Sequence, residues 1–130
     1  GRAYYVGTMA GWSYAGTVKR AWGTVYTGYQ AANRRLITDF PAMVGVNTPL
    51  TCSVPMVEAD LLESEHGVGV VLANYAGDPL GNIDLAIQMP GVVTSVESVT
   101  DGRLQFVKDS DEDVIHVSLP LEVVDMLISK

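Results

Sequence analysis

The sequence predicts a mainly β protein, a small antiparallel β-sandwich or barrel preceded by an incomplete α/β segment of strand, loop, short helix and linker. Three observations predict it. The stretches IDLAIQM and VIHVSLPL alternate apolar and polar residues with the period of a half-buried strand. Short β-forming runs in the second part are separated by turns rich in Gly, Asp and Pro. Charge and aromatic content both change near residue 56, dividing the chain into two parts.

The chain has 130 residues, of which 48% are apolar and 18% charged, enough for a packed core and unlike a disordered chain. Residues 1–56 set Arg2, Lys19, Arg20, Arg34 and Arg35 against Asp39, a net of +4; residues 57–130 carry a net of −11. An acidic second part argues against binding the phosphate backbone of nucleic acid, which requires clustered Lys and Arg. No apolar run approaches the ~20 residues that a membrane-spanning helix needs. The lone Cys52 admits no internal disulfide or thiolate metal cluster, and PLTCSVP suits a small buried or half-buried residue.

Seven of the ten aromatic residues fall within residues 1–29: Tyr4, Tyr5, Trp12, Tyr14, Trp22, Tyr26 and Tyr29. AYYV reads as a short buried strand and GTMAGWSYAGT as the loop after it. QAANRRLITDF places Ala32, Leu36 and Phe40 on one stripe, which predicts an amphipathic helix that ends before Pro41. VGVNTPLTCSVP reads as an extended, proline-broken connector. A strand at the start with no sheet of its own must find a partner for its backbone. The expectation is therefore that this chain is the C-terminal end of a larger polypeptide, or that it self-associates through the exposed strand.

From Val57 the reading is β. VEADLLES is the first strand, EHG a turn and VGVVLANY the second strand; AGDPLG is a turn before IDLAIQM. VVTSVESV follows, then the tight Asp-Gly turn of TDGR. LQFV and VIHVSLPL flank the acidic turn KDSDED, and EVVDMLISK ends the chain as a strand or a helical turn.

Chemical signals are sparse. Asp109, Asp111 and Asp113 are spaced like the start of a calcium loop, but Val114 and Pro120 stand where an EF-hand needs Gly and a bidentate acid. His66 and His116 lie at no metal-ligand spacing from each other or from Cys52. GVGVVL has Leu72 in place of the third glycine of a dinucleotide fingerprint and lies inside a strand. Glu58, Asp60, Glu63 and Glu65 offer carboxylates of the type glycosidases pair, yet Glu58 and Asp60 also fit a solvated strand face. No Ser/His/Asp grouping, catalytic residue, metal site or cofactor site is identifiable. The aromatic stretch carries the strongest signal. Trp12, Tyr14 and Trp22 are candidate stacking residues for a carbohydrate, and Tyr4, Tyr5, Tyr26 and Tyr29 are candidate interface residues.

GRAYYVGTMAG, ANRRLITDFPAMVGV, VEADLLESEHGVGVVLANYAG and VSLPLEVVDMLIS together resemble the tail of β-galactosidase-like glycoside hydrolases. That resemblance implies that residues 1–56 are the last strand, helix and linker of a flavodoxin-like, trimerisation-like middle domain. It implies that residues 57–130 are the small C-terminal β domain. The family's catalytic glutamates belong to a barrel with no counterpart here, so the chain is expected to be non-catalytic by itself. Its expected partners are the rest of the parent polypeptide or its subunits.

Overall fold

The computed structural model describes Tyr5 and residues 31–89, 91–109 and 113–130. Residues 1–48 and 49–130 are separate compact units. Apart from Tyr5, the predicted first strand and its loop lie outside the described residues.

In the first unit, helix α1 spans Ala31–Met43 and contains Pro41. The helix does not stop before the proline as expected. Pro41 lies in the last turn, where the lost N–H and the ring's clash with the preceding turn disturb little downstream helix. The end is closed by a Schellman arrangement: Val46 N–H donates to Pro41 O at 2.9 Å and Gly45 N–H to Ala42 O at 3.0 Å. Gly45 supplies the required positive φ of 81°. Leu36 and Ile37 are each 42% exposed, and an exposed Arg35–Asp39 pair at 3.7 Å spans one turn.

The second unit is a sandwich of two antiparallel sheets, which decides between the two expected architectures. Its strands are β1 (Leu50–Cys52), β2 (Val57–Ser64), β3 (Gly67–Asn74), β4 (Leu80–Gln88), β5 (Val96–Ser98), β6 (Gly102–Leu104), β7 (Phe106–Lys108), β8 (Val114–Leu121) and β9 (Val124–Ser129). Sheet A has the order β1-β4-β8-β7 and sheet B the order β2-β3-β9-β5-β6. The compact unit starts at Pro49. The reason is that Leu50–Cys52, read as connector, pairs with Leu85–Ile87 as an edge strand.

Alternation places the core. Ile83, Leu85 and Ile87 of β4 and Ile115, Val117, Leu119 and Leu121 of β8 turn inward from sheet A. Val70 and Leu72 of β3, Val96 of β5 and Leu127 of β9 meet them from sheet B. Each fully buried aliphatic side chain contributes about 2 kcal/mol of transfer free energy. Cys52 is half-buried against this core.

Two predicted strands change form. LQFV is divided at Gln105, because Leu104 ends β6 in sheet B and Phe106 opens β7 in sheet A. Both Leu104 and Phe106 pack against the core, so the chain passes between layers while keeping its apolar side inward. VVTSVESV keeps only Val96–Ser98 as strand. The final segment is the strand β9, inserted between β3 and β5. Pro120 lies beyond the β7–β8 pairing, which reaches no further than Phe106↔Val117. There β8 has no second ladder for the missing N–H to interrupt.

A polar brace secures the β5–β6 hairpin to β9. Asp125, 8% exposed, accepts from Ser98 Oγ at 2.6 Å, Thr100 Oγ1 at 3.0 Å, Thr100 N at 3.2 Å and its neighbour Met126 N at 2.7 Å. Ser98 Oγ in turn accepts from Asp101 N at 2.8 Å. Asp125→Ala strands these donors and is expected to lower stability by about 3 kcal/mol, read by urea denaturation with the m-value unchanged. A second constraint is steric. Gly67 has φ of 138°, and a Cβ there would lie 2.2 Å from Ser129 O. Gly67→Ala should therefore cost at least about 3 kcal/mol and lower Tm, whereas substitution at the open Gly81 should not.

Candidate functional site

Trp12, Tyr14 and Trp22 lie outside the described residues, as do Tyr4, Tyr26 and Tyr29. Tyr5 is described and is 95% exposed. The described residues carry two other surface features, one on each outer sheet face.

The first is a groove of about 600 Å³ on sheet A. Because Ile83, Leu85, Val117 and Leu119 point inward, the intervening Asp84, His116 and Ser118 point outward. The register sets Asp84 opposite Ser118, and His116 between Ala86 on one side and Val107 on the other. Arg103, Leu104, Gln105, Phe106 and Val107, delivered by the crossing from β6 to β7, and Val117 of β8 complete the lining. Ser118 Oγ donates to Asp84 Oδ1. Sequence reading found no Ser/His/Asp grouping, and the sheet register creates one. Its hydroxyl is given to the carboxylate and not to the imidazole, so it lacks the nucleophile–base contact of a catalytic triad. The sequence signal was present in the polar members of two alternating strands, but their pairing was not.

The second is the outer face of sheet B, where Leu62 is 54%, Val71 38%, Val124 65% and Ile128 39% exposed. Gly69 lies between Leu62 and Ile128 in the ladder. Its missing side chain helps form a hollow of about 280 Å³ rimmed by Glu63, Ser64, His66 and Lys130. A Cβ at Gly69 would come 3.0 Å from the terminal methyl of Met126.

The other candidates have ordinary surroundings. His66 sits on the β2–β3 turn, 3.4 Å from Glu65, with both side chains almost fully exposed. At the β7–β8 hairpin, Lys108 Nζ is 3.5 Å from Asp113 Oδ1 and Asp109 N donates to Val114 O at 2.9 Å. Asp111 lies outside the described residues. Glu58 and Asp60 share the outward side of β2, as their spacing predicted. The phenol of Tyr75 donates a hydrogen bond to the Glu58 carboxylate.

That bond, followed by the negative charge of Glu58, raises the Tyr75 pKa above 10.0. Both favour the protonated phenol in the folded state. Its contribution to stability is therefore whole below the ordinary tyrosine pKa and is lost as pH rises through the raised value. Comparison of ultraviolet titrations of the chain and its Tyr75→Phe variant should assign Tyr75 a midpoint above that of free tyrosine, and Glu58→Gln should lower it.

No family model matches the chain. Two phosphoglycerate kinases of Orientia tsutsugamushi, from strains Boryong and Ikeda, are each 31% identical to it over 64 residues, which is 49% of this chain. The chain spans 15% of the length of these curated relatives in that match. Among solved structures, alpha-L-fucosidase isoenzyme 2 from Paenibacillus thiaminolyticus superposes with a TM-score of 0.61 at 16% identity. That superposition covers 75% of this chain and 17% of the fucosidase chain. The likeness is one of fold.

Proposed function

We propose that this chain is a non-catalytic accessory segment of a glycoside hydrolase-like protein and supports the packing of its domains or subunits. The observation that carries the reading is the fold shared with a small part of a fucosidase, 17% of that chain. A fold that fills so small a fraction of a hydrolase suits a unit that braces a larger body. The motif resemblance in the sequence supports a glycoside hydrolase parent, while the structural neighbour lends no particular weight to β-galactosidase over other members of that class. On the outer face of sheet B, beside Glu58 and Asp60, Leu62, Val124 and Ile128 are exposed where a covering surface would remove them from water, which supports a packing role.

Sugar binding by the aromatic stretch is the second reading, favoured by the clustering of Trp12, Tyr14 and Trp22. Both tryptophans lie within residues 12–22, so their fluorescence reports on that stretch.

The test begins with the reading frame that encodes residues 1–130. The expected result is a frame that runs upstream into a glycosidase barrel, and a parent whose Tm falls when residues 49–130 are removed. A frame without a barrel, or turnover of p-nitrophenyl glycosides by this chain alone, would overturn the accessory reading. A saturable tryptophan shift with galacto- or gluco-oligosaccharides, abolished by Trp12→Ala or Trp22→Ala, would select the second reading.

A further inference from the structure

We infer that the groove on the outer face of sheet A is a binding site for a neutral pyranose sugar, formed by Asp84, Arg103, Gln105, Val107, His116 and Ser118. This site is separate from the aromatic stretch and does not depend on the accessory reading.

The groove is the meeting place of three strands and a crossover. Asp84 and Ser118 stand opposite one another on β4 and β8, and His116 is two residues from Ser118 on the same side. Neighbouring strands lie about 4.8 Å apart and a two-residue step is about 6.8 Å, so these side chains form a grid on the scale of one sugar ring. Gln105 and Arg103 approach from the crossover and are exposed. The volume of about 600 Å³ falls within the range of small-molecule clefts.

The hydrogen-bonding inventory selects the ligand. Asp84 only accepts, and Ser118 engages its Oδ1, leaving Oδ2 to take a hydrogen bond from a ligand. Arg103 only donates, and among the described residues it belongs to neither of the Lys or Arg ion pairs, Arg35–Asp39 and Lys108–Asp113. Gln105 can do both through one planar amide, and His116 can do both as a neutral imidazole. A ligand that meets this set must donate and accept at closely spaced points, which is what adjacent ring hydroxyls do. An anion would satisfy Arg103 but face the Asp84 carboxylate, and a cation would have the reverse difficulty. Val107, 69% exposed beside His116, offers an apolar surface to the C–H side of the ring.

The inference is tested on the full 130-residue chain by two-dimensional ¹⁵N NMR titration with D-galactose, D-glucose and D-mannose in turn. The expected result is a saturable shift, with at least one sugar, of the backbone amides of residues 84, 105–107 and 116–118. Gln105→Ala and His116→Ala, both exposed positions, should each weaken that binding about tenfold while leaving the rest of the spectrum in place. Leu62→Ala, on the opposite sheet face, should not alter it. Flat or non-saturating shifts at the groove with all three sugars would overturn the assignment. So would saturable shifts confined to the indoles of Trp12 and Trp22. None of these outcomes bears on the upstream reading frame, so the two proposals fail separately.

Discussion

The β4–β8 ladder is the constraint on which the second unit rests. Eight residue pairs hold these strands together from Leu80↔Leu121 to Gln88↔Val114, with a register shift between Leu80 and Asn82. Because side chains alternate, this one register turns Ile83, Leu85 and Ile87 inward together with Ile115, Val117 and Leu119. A slip of β4 by one residue would present Asp84 to the core, and a slip of β8 would present His116 and Ser118, at the desolvation cost of a buried charge or of two polar groups. The same geometry that makes the core therefore assembles the outer groove. Core and candidate site are two sides of one ladder.

The loops are tied to this frame by buried or half-buried polar groups. Asp125 holds the β5–β6 hairpin against β9 through Ser98 and Thr100. Asn74 does comparable work at the other end. Its Nδ2 donates to Asp78 O at 2.9 Å and Glu122 O at 2.8 Å, while its Oδ1 accepts from Ala76 N at 2.8 Å. Every such group has a partner, and among the described residues no buried side-chain nitrogen or oxygen is left without one. Asp and Ser at these positions would look like candidate chemistry in a list of residue types. Their hydrogen bonds assign them to the scaffold.

The two outer faces divide the functional possibilities. Sheet A presents hydrogen-bonding side chains around a groove, suited to a small hydroxylated ligand. Sheet B presents Leu62, Val71, Val124 and Ile128 beside the carboxylates of Glu58 and Asp60, a mixed face.

The sequence by itself determined the β class, the strand alternation and most turns of the second unit. Periodicity and turn chemistry are local, so IDLAIQM, VIHVSLPL and the Asp-Gly turn were legible without a partner strand. Tertiary structure decided what locality cannot. It made Leu50–Cys52 a strand by giving it an edge of β4 to pair with, and it divided LQFV between two layers. It carried α1 through Pro41, because the cost of proline depends on how much helix follows and on the cap that closes it. It also joined Asp84, His116 and Ser118. Each was visible as an outward polar residue, but antiparallel pairing between strands 26 or more positions apart in sequence, as in Gln88↔Val114, made them neighbours.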